Sequence, residues 1–287
     1  MNTSKLHHFV PQFHVRRFAN IDEKIWVWER ERDRVFPTSP NSIAAETHFY
    51  RLLQYEALGH DGTTMEKQFS ALETQVSIIT GQWLEWLRAV EPFTEIPIPE
   101  ENRNIVAQHM ALQYLRTADT REILGILAHK EYGSAVSSDE LRRLHTELLW
   151  DEQIVTDLTA RFAEAVWIFA RNGTTVPYVT SDNPIAFRTH NNRQWRRIGL
   201  QGGTYAVYPI ASDIIMYCYP REEPWHDKLD DLNDCLSPVA ISDEMVLSEN
   251  SGQAFMATRF IFSNKNDFTW ERQFAPTIGT DIFKPEE

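Results

Sequence analysis

The first residues with chemistry in them come at the very start, in "KLHHFVPQFHVRRFAN". His7 and His8 are adjacent, His14 follows, and Arg16 and Arg17 come directly behind. Histidine is the side chain that moves a proton near neutral pH, and it is a common metal ligand. Adjacent residues of a strand point to opposite faces, so one of His7 and His8 is expected to face a given site. Pro11 fixes the chain behind them, and Gln12 offers both a donor and an acceptor. No Asp or Glu occurs before Asp22, in a chain of formal net charge -13. A second acid-free window runs from Asn183 to Ser212 and holds Arg188, Arg193, Arg196 and Arg197. With Lys5, Arg16 and Arg17 the two windows carry seven positive charges, and removing seven from -13 leaves -20. If the fold joins the windows, they make a cationic pocket that focuses a phosphate-bearing ligand on an acidic body. The alternative is two solvated loops with no shared partner.

The totals restrict what such a pocket could serve. A chain of 287 residues can bury a large core without disulfides, and 41 acids against 28 bases argue against general polyanion binding. Cys218 and Cys235 are the only cysteines and form no C-x-x-C, which fits a reducing cytoplasm. No apolar leader follows Lys5, and the longest apolar run, Ala165 to Ala170, is far shorter than the ~20 residues needed to span a bilayer. The expected location is cytoplasmic, with no membrane partner.

The elements that must position these residues are legible in outline. "KIWVWERERDRVFPTS" alternates as a hairpin turning near Asp33. Met65, Phe69, Leu72, Val76, Ile79, Trp83 and Leu87 recur at helical spacing, after a Thr63/Glu66 capping box. Glu73 sits beside this stripe and could pair with a base across the bundle. Pro99, Glu100 and Glu101 open a second helix through "NRNIVAQHMALQYLR", which breaks near Asp119 and continues to about Lys130. A third long helix is expected from "SSDE" to Arg171, ended by Asn172-Gly173. "VPYVTSDNPIAF" reads as strand, turn, strand. "TYAVYPI" and "DIIMYCY" are two more strands, and a final helix covers Val239 to Phe262. The expected fold is one α+β domain over residues 1–287. Its helical middle carries a small, mainly antiparallel sheet built from the N-terminal hairpin and the strands of 176–219.

"HHFVPQFHVRRFA" resembles the opening of a bacterial family, the domain of unknown function 4238, whose members begin H-H-x-x-P-Q-x-x-L-R-x-F. The resemblance continues through "IAAETHFY", "QYLRT", "TSDNP" and "YPIAS", with Val15 where leucine is usual. It brings no established activity. Some members are proposed as single-gene phage-defence proteins, which implies chemistry on nucleic acid or nucleotides. The family pattern selects His7, His8, Pro11, Gln12, Arg16, Glu46, Gln113, Arg116, Ser181, Asp182 and Asn183. These residue types can hold a divalent ion and stabilise charge on a phosphoryl group.

The expectation is therefore a metal-dependent phosphodiesterase or nuclease in anti-phage defence. His7 or His8 would be base or ligand. His8, Glu46 and Asp182 would hold Mg²⁺ or Mn²⁺, and Arg116 would stabilise the transition state. Gln12 and Asn183 would orient a nucleic-acid or nucleotide-like substrate. Gln113 would share one helix face with His109 and Arg116. Arg16, Ser181, Arg188, Arg196 and Arg197 would bind the substrate. The other reading is a sensor that holds a small anionic ligand or phage component in the same pocket without turnover. Asp182-Asn183-Pro184 also has the composition of a plain turn. Asn41 and His48 could complete a His-metal nuclease with His8, but the hairpin intervenes. No P-loop, G-x-G-x-x-G or G-x-S-x-G is present.

Overall fold

Pro11 sets the first corner. Its locked φ and missing N–H suit the start of a helix, so strand β1 (Leu6–His8) gives way to the short helix α1 (Gln12–Arg16). The tryptophan hairpin follows as β2 (Ile25–Glu29) and β3 (Arg34–Thr38), turning through Asp33 in left-handed backbone at φ 43°. Strand β4 (Ala45–Thr47) then returns to pair antiparallel with β1. The computed structural model describes residues 6–47, 59, 61, 64–133, 136–191, 195–196, 199–200 and 202–274.

The expected long helix is α2 (Thr64–Ala89), burying Met65, Phe69, Val76, Ile79, Trp83 and Leu87 on one stripe. Thr63 of the anticipated capping box lies outside the described residues. Helix α3 (Glu100–Leu115) starts after Pro99, and α4 (Ala118–Tyr132) starts where the Thr117 hydroxyl accepts from Thr120 N–H. Gly133 ends α4 in left-handed backbone at φ 69°.

The third long helix is corrected to three elements: α5 (Ser138–Trp150), α6 (Glu152–Glu164) and strand β5 (Val166–Arg171). Asp151 stops α5 and caps α6, accepting from Ile154 N–H at 3.0 Å. "VWIFA" is buried throughout, as a strand covered on both faces should be, so its periodicity does not distinguish it from a buried helix.

The fold class is α+β, but the single sheet is corrected to two larger sheets beside the β1–β4 ribbon. Strands β6 (Thr180–Ser181), β7 (Ala186–Thr189), β8 (Trp195–Arg196), β9 (Thr204–Ala211) and β10 (Ile214–Tyr219) follow β5 in sequence. The six-stranded sheet has the order β11–β5–β10–β9–β7–β8, where β11 is Cys235–Leu236 and runs parallel to β5. The hairpin instead joins a four-stranded sheet, β3–β2–β12–β6. The cause is β12 (Phe260–Ser263), which was expected to be helix. Helix α7 (Asp243–Met256) ends before it, and "FIFS" enters as a strand between β2 and β6. A short helix, α8 (Thr269–Arg272), follows.

One hydrophobic cluster runs from Phe9 and Phe18 through Met110 and Met216 to Phe262. Trp83 is at its centre, with ring centroids 5.8 Å from Trp167 and 6.0 Å from Phe169. Trp86, on the same helix, is 37 % exposed. Among the described residues no helix is long and apolar enough to cross a membrane. Trp83→Ala is expected to cost about 3–5 kcal/mol in urea unfolding, and Trp86→Ala under about 1 kcal/mol.

Candidate functional site

His8 ends β1 opposite Ala45, and the corner at Pro11 brings α1 back beside it. Gln12 and Arg16 are one turn apart on that helix, and both stand next to the imidazole. His8 Nε2 is 3.3 Å from the Asn41 carbonyl, and Gln12 Nε2 is 3.4 Å from His8 Nδ1 and 3.2 Å from its Nε2. One tautomer satisfies both neighbours: Nε2–H donates to Asn41, and Nδ1 accepts from Gln12. Arg16 Nη2 donates to Gln12 Oε1 at 2.8 Å and to Asn41 Oδ1 at 2.7 Å. The amide of Gln12 is thereby turned with its oxygen to the arginine and its nitrogen to the histidine.

Helix α2 is the facing wall. Glu66, Ser70, Glu73 and Ser77 are spaced by four, three and four residues, so they share one face. Between them and His8, Gln12 and Arg16 lies a cleft of about 440 Å³, with Phe13 and Phe69 also lining it. Behind Glu73 stands Arg116, 1 % exposed. Its Nη1 donates to Glu73 Oε1 at 2.6 Å, and its Nε and Nη2 donate to Gln113 Oε1 at 2.9 and 2.6 Å. Gln113 Nε2 in turn donates to the carbonyl of Phe9 at 3.1 Å. Arg116 is thus a positioning residue in this geometry, its donors directed to Glu73 and Gln113. His109, Gln113 and Arg116 are all buried, so their stripe is an internal polar seam rather than a hydrated face. The His109 ring packs against Phe13, and among the described residues its Nε2 has no hydrogen-bond partner.

The cleft moves two proton affinities in opposite directions. Burial lowers the His8 pKa, with Arg116 and Arg16 adding to the effect and the Asn41 carbonyl and Glu73 opposing it. Burial, then the Glu73 charge, push the Glu66 carboxyl up to about 7, against the pull of Arg116. Near neutral pH this leaves a neutral imidazole and a half-protonated carboxyl on one cleft, the pairing that general base and general acid require.

Asp182 is not brought to this cleft. It is 3 % exposed, and its carboxylate accepts from the backbone N–H groups of Thr258 at 2.8 Å, Arg259 at 2.7 Å and Phe260 at 3.0 Å. Burial pushes its carboxyl up to about 6 and the three donors hold it down, so it pins the start of β12 as an anion at neutral pH. Ser181 and Asn183 complete a buried turn: Ser181 Oγ donates to the Asn183 carbonyl at 2.8 Å and accepts from Asn183 N–H at 3.2 Å. Gln253 donates to Pro184 O at 2.9 Å. The opening segment does reach this turn, but through His14, whose Nε2 is 3.0 Å from Thr180 Oγ1 and whose Nδ1 is 3.3 Å from Tyr208 OH.

The two acid-free windows also meet, since Ser212 N–H donates to Arg17 O at 3.3 Å. Among the described residues their arginines do not converge. Arg17 donates to Thr80 Oγ1 and Ser77 O, and Arg188 pairs with Glu249 at 3.1 Å. His7 and Glu46 are opposite each other in the β1–β4 register. Their side chains, the side chain of Arg196, and all of Arg193, Arg197 and His48 lie outside the described residues. Among the described residues no three His, Cys, Asp or Glu side chains form a group that could hold a metal ion. Glu66 was read only as a capping partner. The signal that could have found it is the run of Glu66, Ser70, Glu73 and Ser77 along one line of the helix.

Fold and cleft together define an α+β protein whose N-terminal histidine motif faces a carboxylate-bearing helix. The family model described as "Protein of unknown function (DUF4238)" matches residues 6–267, and the chain belongs to that family. No curated protein and no solved structure matches it. Asp182→Ala removes the acceptor of three backbone N–H groups, one of them buried, and is expected to cost roughly 3 kcal/mol in denaturant unfolding, seen first as a lowered Tm.

Proposed function

We propose that this protein is a hydrolase of phosphate esters that works by general acid–base catalysis in the His8–Glu66 cleft. The observation that carries the reading is the geometry, with His8, Gln12 and Arg16 on one wall of a cleft and Glu66 and Glu73 on the other; burial in it lowers the His8 pKa and raises that of Glu66 to about 7. The lone pair of His8 Nδ1, which accepts only a long 3.4 Å contact from Gln12, takes a proton from water. The water oxygen bonds to phosphorus as the ester P–O bond breaks, and Glu66 gives its proton to the leaving oxygen. Arg16 neutralises charge on the non-bridging oxygens. Burial, and after it the charge of Glu73 held by Arg116, keep Glu66 protonated into the neutral range.

A nucleic-acid or nucleotide substrate and a role in bacterial anti-phage defence come from the family resemblance. Of the three ligands expected for Mg²⁺ or Mn²⁺, His8 and Glu46 remain candidates, because Asp182 is committed to backbone. The acid–base route itself routes no step through a metal, and activity in EDTA separates the two. A sensor is favoured by one feature: Arg16, Gln12 and Asn41 already form a hydrogen-bonded anion seat. Such a seat binds whether or not turnover follows.

The test is hydrolysis of a chromogenic phosphodiester by the purified chain, with and without Mg²⁺, Mn²⁺ or EDTA. His8→Ala and Glu66→Gln are each expected to lower kcat by about 10²–10⁴-fold. The base must be deprotonated and the acid protonated, so the rate rises with pH through the depressed His8 pKa and falls as pH passes about 7, where Glu66 loses its proton. In Glu66→Gln the alkaline fall should vanish. Unchanged rates in both variants would end this assignment.

A further inference from the structure

We infer that the cleft takes a small ligand bearing a single phosphate on a hydroxyl-rich sugar, the size of one nucleotide, and does not accept a nucleic-acid strand. The inference rests on the proposed site but concerns what enters it. Arg16 is exposed at the cleft, and its two hydrogen-bond acceptors, Gln12 Oε1 and Asn41 Oδ1, are both neutral. Only Nη2 makes these bonds. Among the described residues, Nε and Nη1 have no protein acceptor, and no carboxylate answers the charge. Two more cations stand close by: Arg116 is buried and neutralised by Glu73, and Arg17 is directed to Thr80 Oγ1 and the Ser77 carbonyl. Among the described residues that line the cavity Arg16 is the positive charge, enough for one phosphate group and its fork of oxygens.

The remaining surface is suited to a sugar. Ser70 and Thr74 are exposed on the facing helix, with Ser77 one turn further on, and Glu66 and Glu73 supply carboxyl oxygens between them. Alternating hydroxyls and carboxyls match the alternating donors and acceptors of a ribose or hexose ring. The volume of about 440 Å³ lies within the range of small-molecule sites, roughly 300–1,000 Å³.

What a strand would need is missing among the described residues. A polynucleotide is held by a succession of cations along its backbone. Here Arg17 turns inward to Thr80 and Ser77, and Arg188 is paired with Glu249. No described arginine continues the line from Arg16, and the chain as a whole carries -13. Each further phosphate would meet repulsion in place of a partner.

The experiment is calorimetric titration of the full chain with adenosine 5′-monophosphate, ribose 5-phosphate, inorganic phosphate and a single-stranded oligonucleotide. Wild-type protein should bind the first or the second, and inorganic phosphate more weakly. Nucleotide and sugar phosphate are distinguished by which of the two binds tighter. Arg16→Ala should weaken that binding about tenfold or more, and Arg16→Lys should recover part of it. Arg16 is exposed, so both variants should melt with the wild type. Tighter binding of the oligonucleotide than of either small ester overturns the inference, as does absence of binding by both esters, or binding indifferent to Arg16. Binding of a small ester by wild type and by His8→Ala, with no hydrolysis by either, leaves this inference standing and ends the hydrolase reading.

Discussion

A guanidinium that has left water must have its charge answered and its N–H groups paired, and Arg116 imposes that demand at the centre of this protein. With 1 % of its surface exposed, it cannot rely on solvent. Glu73 answers the charge from α2, Gln113 takes two N–H groups from within α3, and the Phe69 ring lies 5.3 Å from the guanidinium carbon. Gln113 then passes the constraint on, through its N–H, to the carbonyl of Phe9, one residue after His8. Helix spacing, the carboxylate wall of the cleft and the position of the histidine strand are therefore fixed by one buried cation. Its role is architectural, and its electrostatic influence extends into the cleft, where it adds to the burial that depresses His8 and limits the rise that burial gives Glu66.

That division of labour explains which parts of the site were readable from residue types. The opening motif was legible because histidine, glutamine and arginine at a proline corner are not core residues, and His8, Gln12 and Arg16 do come together. Glu73 was legible as the partner of a base across the bundle, and that base is Arg116. Glu66 was not. Pattern reading follows the apolar stripe of α2, and a carboxyl beside that stripe is ordinary until the facing wall is known. Asp182 misled for the opposite reason. Its type and its turn context suit a ligand, but a carboxylate also caps three consecutive N–H groups well, and only the path of β12 decides between them.

The fold shows the same limit. Elements with one apolar face, such as α2, α3 and the tryptophan hairpin, were set by periodicity, and the break before α4 by residues near Asp119. "VWIFA" and "FIFS" are apolar on every side, because each lies inside a sheet, and apolar-on-every-side has no period to read. Both carry the apolar content of a buried helix, and of the strands of 176–219 expected beside the hairpin β6 alone shares its sheet, with β12 between them. The charge windows show a further limit. Their backbones do touch, at Arg17 and Ser212, but proximity of backbone does not decide where arginine side chains point.

The insertion of β12 between β2 and β6 has a consequence for how the chain is made. Residues 25–38 leave a ribosome more than two hundred residues ahead of 260–263, the inner neighbour of their sheet. Until residues 260–263 have been synthesised, β2 carries an open edge that its native partner cannot cover. Pairing over more than two hundred residues is also slow to find, because the loop it closes is long. During translation the hairpin is thus a waiting half-sheet, and the nascent chain must be kept from pairing that edge with a neighbouring copy.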